Sequence, residues 1–159
     1  MQRVLLVANV EKPSARELAE QAGEWLASRV EVLGPDTSID GDLSAHEADL
    51  VVVFGGDGTV LNAVRRLGEK QPPLLTVNLG RLGYLAEVSP DDLQPTLERV
   101  LDGCYRISER MLLDGHVEKD GESLWHGQAV NEFVFSPSQR GRLSELELEV
   151  DGRLLTRLI

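Results

Sequence analysis

The segment Gly55-Gly56-Asp57-Gly58-Thr59 lies between an apolar run, Leu50 to Phe54, and a stretch with helical amphipathic spacing. Three glycines at a strand-to-helix turn remove the side chains that would keep a ligand away. They also allow backbone N–H groups to meet a phosphate at a helix N-terminus. Asp57 is the exception in such a loop, because phosphate repels a carboxylate. It belongs there if it holds a metal or accepts a proton from a hydroxyl about to be phosphorylated, which points to phosphoryl transfer. The competing reading is a tight turn in which Asp57 only caps the next helix, and five specified residues in a strand–helix context weigh against it. The chain has no G-x-x-x-x-G-K-[ST] segment, and no G-x-G-x-x-G follows its first apolar run. A P-loop or dinucleotide Rossmann site is therefore disfavoured.

Two further segments can bear on chemistry. Asn78 to Leu85 is a glycine-punctuated loop, readable either as ligand-shaping or as packing Leu82, Tyr84 and Leu85 on a core. Arg81 within it is read as solvated rather than as a phosphate partner. Asn131 and Glu132 are adjacent polar residues. In a straight strand their side chains point to opposite faces, so both reach one ligand only at a strand end or bulge. His46, His116 and His126 lack metal-ligand spacing, and no metal site is expected from them. Cys104 is the single cysteine and reads as a buried small hydrophobe; it offers no intramolecular disulfide, which suits a reducing compartment.

The elements that must hold these residues follow from the apolar pattern. Arg3 to Val10 is nearly continuous apolar sequence, as in a strand covered on both faces. Ser14 and Glu17 have capping-box spacing ahead of a stripe at Leu18, Ala22, Trp25 and Leu26. Val30 to Leu33 is a short second strand, and Gly34 to Asp42 is polar loop. Leu50 to Phe54 is a third strand, followed by a helix with Val60, Leu61, Val64 and Leu67 on its apolar face and Gly68 as its stop. Leu74 to Val77 forms the next strand. Ligand loops of open parallel sheets gather beyond strand carboxyl ends, so the segments after Phe54 and Val77 should share one edge. Ser89-Pro90 opens another helical segment, which Pro95 is expected to divide or kink.

After Gly103 the texture changes. Trp125 to Phe135 reads as extended, Leu146, Leu148 and Val150 alternate with glutamates, and Asp151-Gly152 is a hairpin signal. The expected fold is α/β: an N-terminal open parallel sheet with helices on both faces over residues 1–104. The start of a β-rich, β-sandwich-like second domain, incomplete over 105–159, follows it.

Composition bounds the partners. The chain has 159 residues and a formal net charge of -11, with no basic cluster larger than Arg65-Arg66. General binding to nucleic acid or to an anionic membrane surface is not expected, since both need a basic field that survives screening. A polyphosphate ligand would have to be held locally, by backbone N–H groups, a few placed cations and a divalent metal. No targeting peptide or membrane span is read in the sequence.

At this point the chain resembles a known family, the ATP-dependent NAD kinases. Their pattern is G-G-D-G-T, then N-x-G-x-L-G-[FY]-L, then an N-[ED] pair; here these are Gly55 to Thr59, Asn78 to Leu85 and Asn131-Glu132. The first motif alone also occurs in lipid kinases and phosphofructokinases, whereas the three in order are specific. The resemblance implies phosphoryl transfer from ATP, with inorganic polyphosphate as an alternative donor and Mg as the divalent metal, to the 2′-hydroxyl of the adenosine ribose of NAD, giving NADP in the cytoplasm. It implies Asp57 as base and Gly55, Gly56, Gly58 and Thr59 as the nucleotide loop. Asn131 and Glu132 would hold polar groups of the dinucleotide, and Arg142 would be a basic contact near it. Asn62 departs from the family, where Arg is common, and puts one basic contact in doubt. Family members continue into a T-P-x-G-S-T-A-Y segment tied to NAD contacts and subunit assembly, which this sequence lacks. The expectation is thus a fragment with little activity alone, homo-oligomeric when full length. The alternatives are a lipid kinase of the diacylglycerol type, disfavoured by Val60-Leu61-Asn62 after Thr59, and a non-catalytic nucleotide-binding module.

Overall fold

The structure is a computed structural model, and it describes residues 1–80, 83–136 and 145–158. Arg81, Leu82 and Arg142 lie outside the described residues. Strand β1 (Arg3–Ala8) leads through helix α1 (Pro13–Leu26) to β2 (Glu31–Asp36). Then follow β3 (Leu50–Gly55), α2 (Asp57–Leu67) and β4 (Leu74–Asn78). A 3₁₀ turn, Pro90–Asp92, runs into α3 (Leu93–Leu101). The remaining described strands are β5 (Leu113–Lys119), β6 (Glu122–Ala129), β7 (Leu146–Val150) and β8 (Arg153–Leu158).

The first four strands form one parallel sheet in the order β2-β1-β3-β4. All of β3 is buried, which explains its unbroken Leu-Val-Val-Val-Phe run: neither face meets water, so no polar alternation is needed. Val4, Leu6, Val52 and Phe54 pack under Ala15, Ala19, Ala22 and Leu26 of α1 and under Leu93, Leu97 and Val100 of α3. Leu5, Val7, Val51 and Val53 point the other way, onto Val60, Ala63 and Leu67 of α2. Helices thus cover both faces, as the apolar pattern predicts. Burying residues of this size contributes about 1.5–3 kcal/mol per side chain, and the sheet interior is where that contribution concentrates.

The two glycine-containing loops do lie at one edge. Strands β3 and β4 are neighbours, Gly55 is in register with Asn78, and the Leu79 N–H donates to the Gly55 carbonyl at 3.1 Å. Gly68 ends α2 with φ +60, a conformation that favours glycine at a helix C-terminus.

Several local expectations are corrected. Helix α1 begins at Pro13 with Lys12 as its N-cap and no side-chain cap, so Ser14 and Glu17 form no capping box. Proline at the first helical position fixes φ and lacks an N–H that would otherwise be unsatisfied, which sets the start two residues earlier than a Ser14 cap would. Pro95 does not divide α3. It is the third residue of that helix, where an N–H has no intrahelical partner, and the break falls instead between the 3₁₀ turn and Leu93. Strand β6 stops at Ala129, short of Phe135; Phe133 turns back to meet the Trp125 ring edge-on, with centroids 5.7 Å apart. Cys104 is exposed rather than buried, because Gly103, at φ +76, turns the chain away from the sheet after α3.

Beyond Val100 the described residues are half-buried or exposed. Two antiparallel hairpins occupy this region, β5–β6 and β7–β8, and Leu146, Leu148 and Val150 are each about half exposed. No helix among the described residues is long and apolar enough to cross a membrane.

One buried cation is invisible to periodicity. The Arg66 side chain, 3% exposed, donates to Asp36 Oδ1 and the Gly41 carbonyl at 2.6 Å each, to Ser38 Oγ at 2.7 Å and to the Ser38 carbonyl at 2.9 Å. It fastens the loop after β2 to α2. Its neighbour Arg65 makes an exposed pair with Asp40 at 3.3 Å. Arg66→Ala should cost about 3 kcal/mol or more by stranding Asp36 and two carbonyls. Arg65→Ala should cost less than about 1 kcal/mol. Urea unfolding of the two variants checks the contrast, and equal losses would contradict it.

Candidate functional site

The glycine loop sits where β3 ends and α2 begins. Gly55 is the last residue of the strand, Gly56 is the extended N-cap of the helix, and Asp57 is its first residue. A Cβ on Gly55 would strike the Thr59 side chain, so glycine is required there for the turn to close. At Gly56 and Gly58 an added Cβ would meet nothing within 4 Å, so these two open the loop to whatever approaches it. Thr59 Oγ1 accepts from Asn9 Nδ2 at 3.1 Å, tying the end of β1 to the same helix start.

Asp57 reaches across to the loop after β4. Its Oδ2 accepts the Tyr84 N–H at 2.9 Å, and its Oδ1 accepts those of Leu85 at 3.0 Å and Ala86 at 3.2 Å. The N–H groups of Tyr84 and Leu85 hold the carboxyl below the usual aspartate range, against desolvation, which opposes them more than the Ala86 N–H assists. Its place in the first turn of α2 also suits a negative charge. Gly83 completes the arrangement, since a Cβ there would overlap the Asp57 carboxylate. The capping role weighed against catalysis thus takes another form: Asp57 makes no cap hydrogen bond within its own helix and instead holds the neighbouring loop.

Two cavities flank this loop. One, of about 290 Å³, is lined by Asp57, Tyr84, Leu85, Arg110, Met111 and Asn131, among others. The second, of about 370 Å³, opens at the carboxyl ends of β1 and β3 and includes Asn9, Lys12, Gly56, Gly58, Thr59 and Asn62. The structure therefore brings Asp57 and Asn131 to one cavity and Gly56, Gly58 and Thr59 to the other. Gly55 is buried and lines neither. Asn131 follows the end of β6, the kind of position that frees its side chain from strand alternation, while Glu132 is exposed and lines neither cavity. Arg142 falls outside the described residues. Asn62 donates to the Ile39 carbonyl at 3.0 Å and so anchors a loop.

Sequence reasoning missed Arg110 and Met111 in the first cavity and Asn9 and Lys12 in the second. Lys12 and Asn9 follow β1, and the rule that ligand loops gather beyond strand carboxyl ends would have marked them. Lys12 Nζ donates to the Leu79 carbonyl at 3.1 Å, joining the β1 and β4 loops. Arg110 and Met111 lie in an aperiodic connection with no local signal.

The pH dependence of the Asp57 contacts has a defined sign. A carboxyl depressed in the folded state contributes stability that is fully present above its unfolded value, about 3.9, and is lost as pH falls through the folded value. The amide resonances of Tyr84, Leu85 and Ala86 should therefore move together in acid, at a midpoint below that of an ordinary exposed aspartate. In Gly83→Ala the same resonances should already be displaced at neutral pH. Independent or higher midpoints would show that the carboxylate does not hold the loop.

The similarities of the chain agree with this arrangement. Residues 42–105 match the family model described as the ATP-NAD kinase N-terminal domain. The NAD kinase of Citrifermentans bemidjiense is 38% identical over 98% of this chain and 59% of its own length. That of Geotalea daltonii is 37% identical over 98% and 58%. Among solved structures, yeast NADH kinase complexed with NADH superposes with a TM-score of 0.77 at 24% identity, over 99% of this chain and 55% of that one. An NAD kinase from Archaeoglobus fulgidus in complex with ATP superposes at 0.70 with 23% identity, over 99% and 57%. These two likenesses speak for the fold. The chain spans about three-fifths of the length of the curated relatives it matches. On the strength of a family domain over the glycine loop and of relatives matched along nearly its whole length, the chain belongs to the NAD kinase family.

Proposed function

We propose that this chain carries the nucleotide loop of an NAD kinase, which moves the terminal phosphoryl group of ATP to the 2′-hydroxyl of the adenosine ribose of NAD. The observation that carries the reading is the pair of cavities on either side of one glycine loop, with Asp57 lining one and open glycines the other. In this reading NAD occupies the Asp57–Asn131 cavity and the phosphates of ATP approach Gly56, Gly58 and Thr59 at the start of α2. Gly55 supports the turn, and Asn131, Glu132 and Arg142 are dinucleotide contacts.

The reaction forms a bond from the ribose oxygen to the γ-phosphorus, breaks the bond from that phosphorus to the oxygen retained by ADP, and releases the hydroxyl proton. Asp57 is the group assigned to that hydroxyl. A carboxylate with a depressed pKa is a weak base, yet it can accept the hydroxyl hydrogen bond and orient the oxygen. A loose phosphoryl-transfer transition state asks chiefly for such positioning. The residues do not build a cage for a divalent ion: no three ligating Asp, Glu, His or Cys side chains converge among the described residues, and Asp57 is already shared by three N–H groups. Magnesium is therefore assigned to the phosphates of ATP, with which it travels.

The same reading takes residues 1–104 as the nucleotide-binding unit and 105–159 as part of a β-rich second domain. Among the described residues, the confinement of buried ones to positions up to Val100 supports that boundary. A cytoplasmic location and a homo-oligomeric assembly of the complete protein complete it. Assayed for ATP-dependent NADP formation in the full gene product, Asp57→Asn should lower kcat by about 10²–10⁴ with a smaller change in KM for NAD. Undiminished turnover in that variant would remove Asp57 from the mechanism.

A further inference from the structure

The connection between α3 and β5 places a guanidinium at the first cavity. Arg110 lines it together with Asp57, Tyr84, Met111 and Asn131. Among the described residues Arg110 makes no hydrogen bond and no ion pair. Arg3, Arg16, Arg65, Arg66 and Arg157 are each paired with a carboxylate, whereas Arg99, Arg106 and Arg153 share the unpaired state of Arg110; of these described arginines only Arg110 lines this cavity. In a chain of net charge -11, a cation left unpaired beside a cavity is available to an anion brought from outside. The one carboxylate named at that cavity, Asp57, is met by three N–H groups, which offset the repulsion an incoming anion would otherwise feel.

We propose that Arg110 is a phosphate-binding residue of this cavity, engaging the pyrophosphate bridge of the acceptor dinucleotide. The proposal rests on the reading of the cavity as the seat of NAD. The planar guanidinium presents paired N–H groups that match two oxygens of one phosphate, which a lysine ammonium cannot reproduce. Asp57 and Arg110 then divide the work: the carboxylate addresses the sugar hydroxyl, and the guanidinium fixes the charged part of the ligand. Tyr84 and Met111, which also line the cavity, are both exposed.

Calorimetry on the intact chain tests this with NAD, ATP and uncharged adenosine as probes, using Arg110→Gln and Arg110→Lys. Arg110 is exposed, so both variants should keep the thermal midpoint of the parent. Arg110→Gln should weaken NAD roughly tenfold to a hundredfold, leave adenosine unchanged and flatten the salt dependence of NAD binding. Arg110→Lys should recover only part of the loss. Unchanged NAD affinity in Arg110→Gln, or an equal loss for adenosine, overturns the phosphate contact. Should ATP instead of NAD lose affinity in Arg110→Gln, the phosphate contact stands and the seating of NAD in this cavity falls. A parent chain that binds neither nucleotide overturns both.

Discussion

The carboxylate of Asp57, shared among the N–H groups of Tyr84, Leu85 and Ala86, is the contact on which the geometry of the site depends. It joins the start of α2 to the loop after β4, beside the Leu79–Gly55 backbone bond between the strand ends and the Thr76–Leu85 bond that ties the loop to β4. With this contact in place the loop shields one side of the glycine turn, and a cavity forms where the second strand-rich region meets it. The glycines do complementary work. Gly55 and Gly83 leave room for Thr59 and Asp57, and Gly56 and Gly58 leave room for a ligand.

Around that contact the parallel sheet acts as a rigid base. Its interior is aliphatic on both faces, so its strands have little freedom to slide: a one-residue slip in β3 would exchange the residues packed on α1 and α3 with those packed on α2. Strand ends are thereby held in register, and the loops that leave them inherit their positions. Arg66 and Lys12 extend the same order into the loops, one by fixing residues 36–41 to α2 and the other by bonding the carbonyl of Leu79. Polar side chains in this molecule do their structural work chiefly by satisfying carbonyl and N–H groups that the sheet leaves over.

The acidic surface is compatible with the proposed phosphate ligand at the glycine turn for the same reason. A field of net negative charge repels phosphate at long range, but screening limits that repulsion to about 8–10 Å at ordinary ionic strength. Within that distance the open backbone of the glycine turn, the N-terminus of α2 and the nearby Lys12 and Arg110 set the local potential. Selectivity for a ligand that fits the cavities follows more naturally from such an arrangement than general affinity for polyanions.

The sequence by itself determined β1, β3 and β4, the helices on both faces and the glycine loop at a shared edge, because each follows from local periodicity or from a turn that only glycine tolerates; it ended the second strand at Leu33, where β2 continues to Asp36, and it did not mark β5. It also placed Asp57 in that loop. Tertiary structure decided what no local pattern encodes. It set Asp57 against the backbone of residues 84–86, split the loop residues between two cavities, buried Arg66 at what reads as a polar position, and exposed Cys104. Arg110 and Asn131 meet Asp57 only after the chain has passed through α3 and two further strands. Contacts at that separation depend on how whole elements pack, and side-chain spacing along the chain carries no record of them.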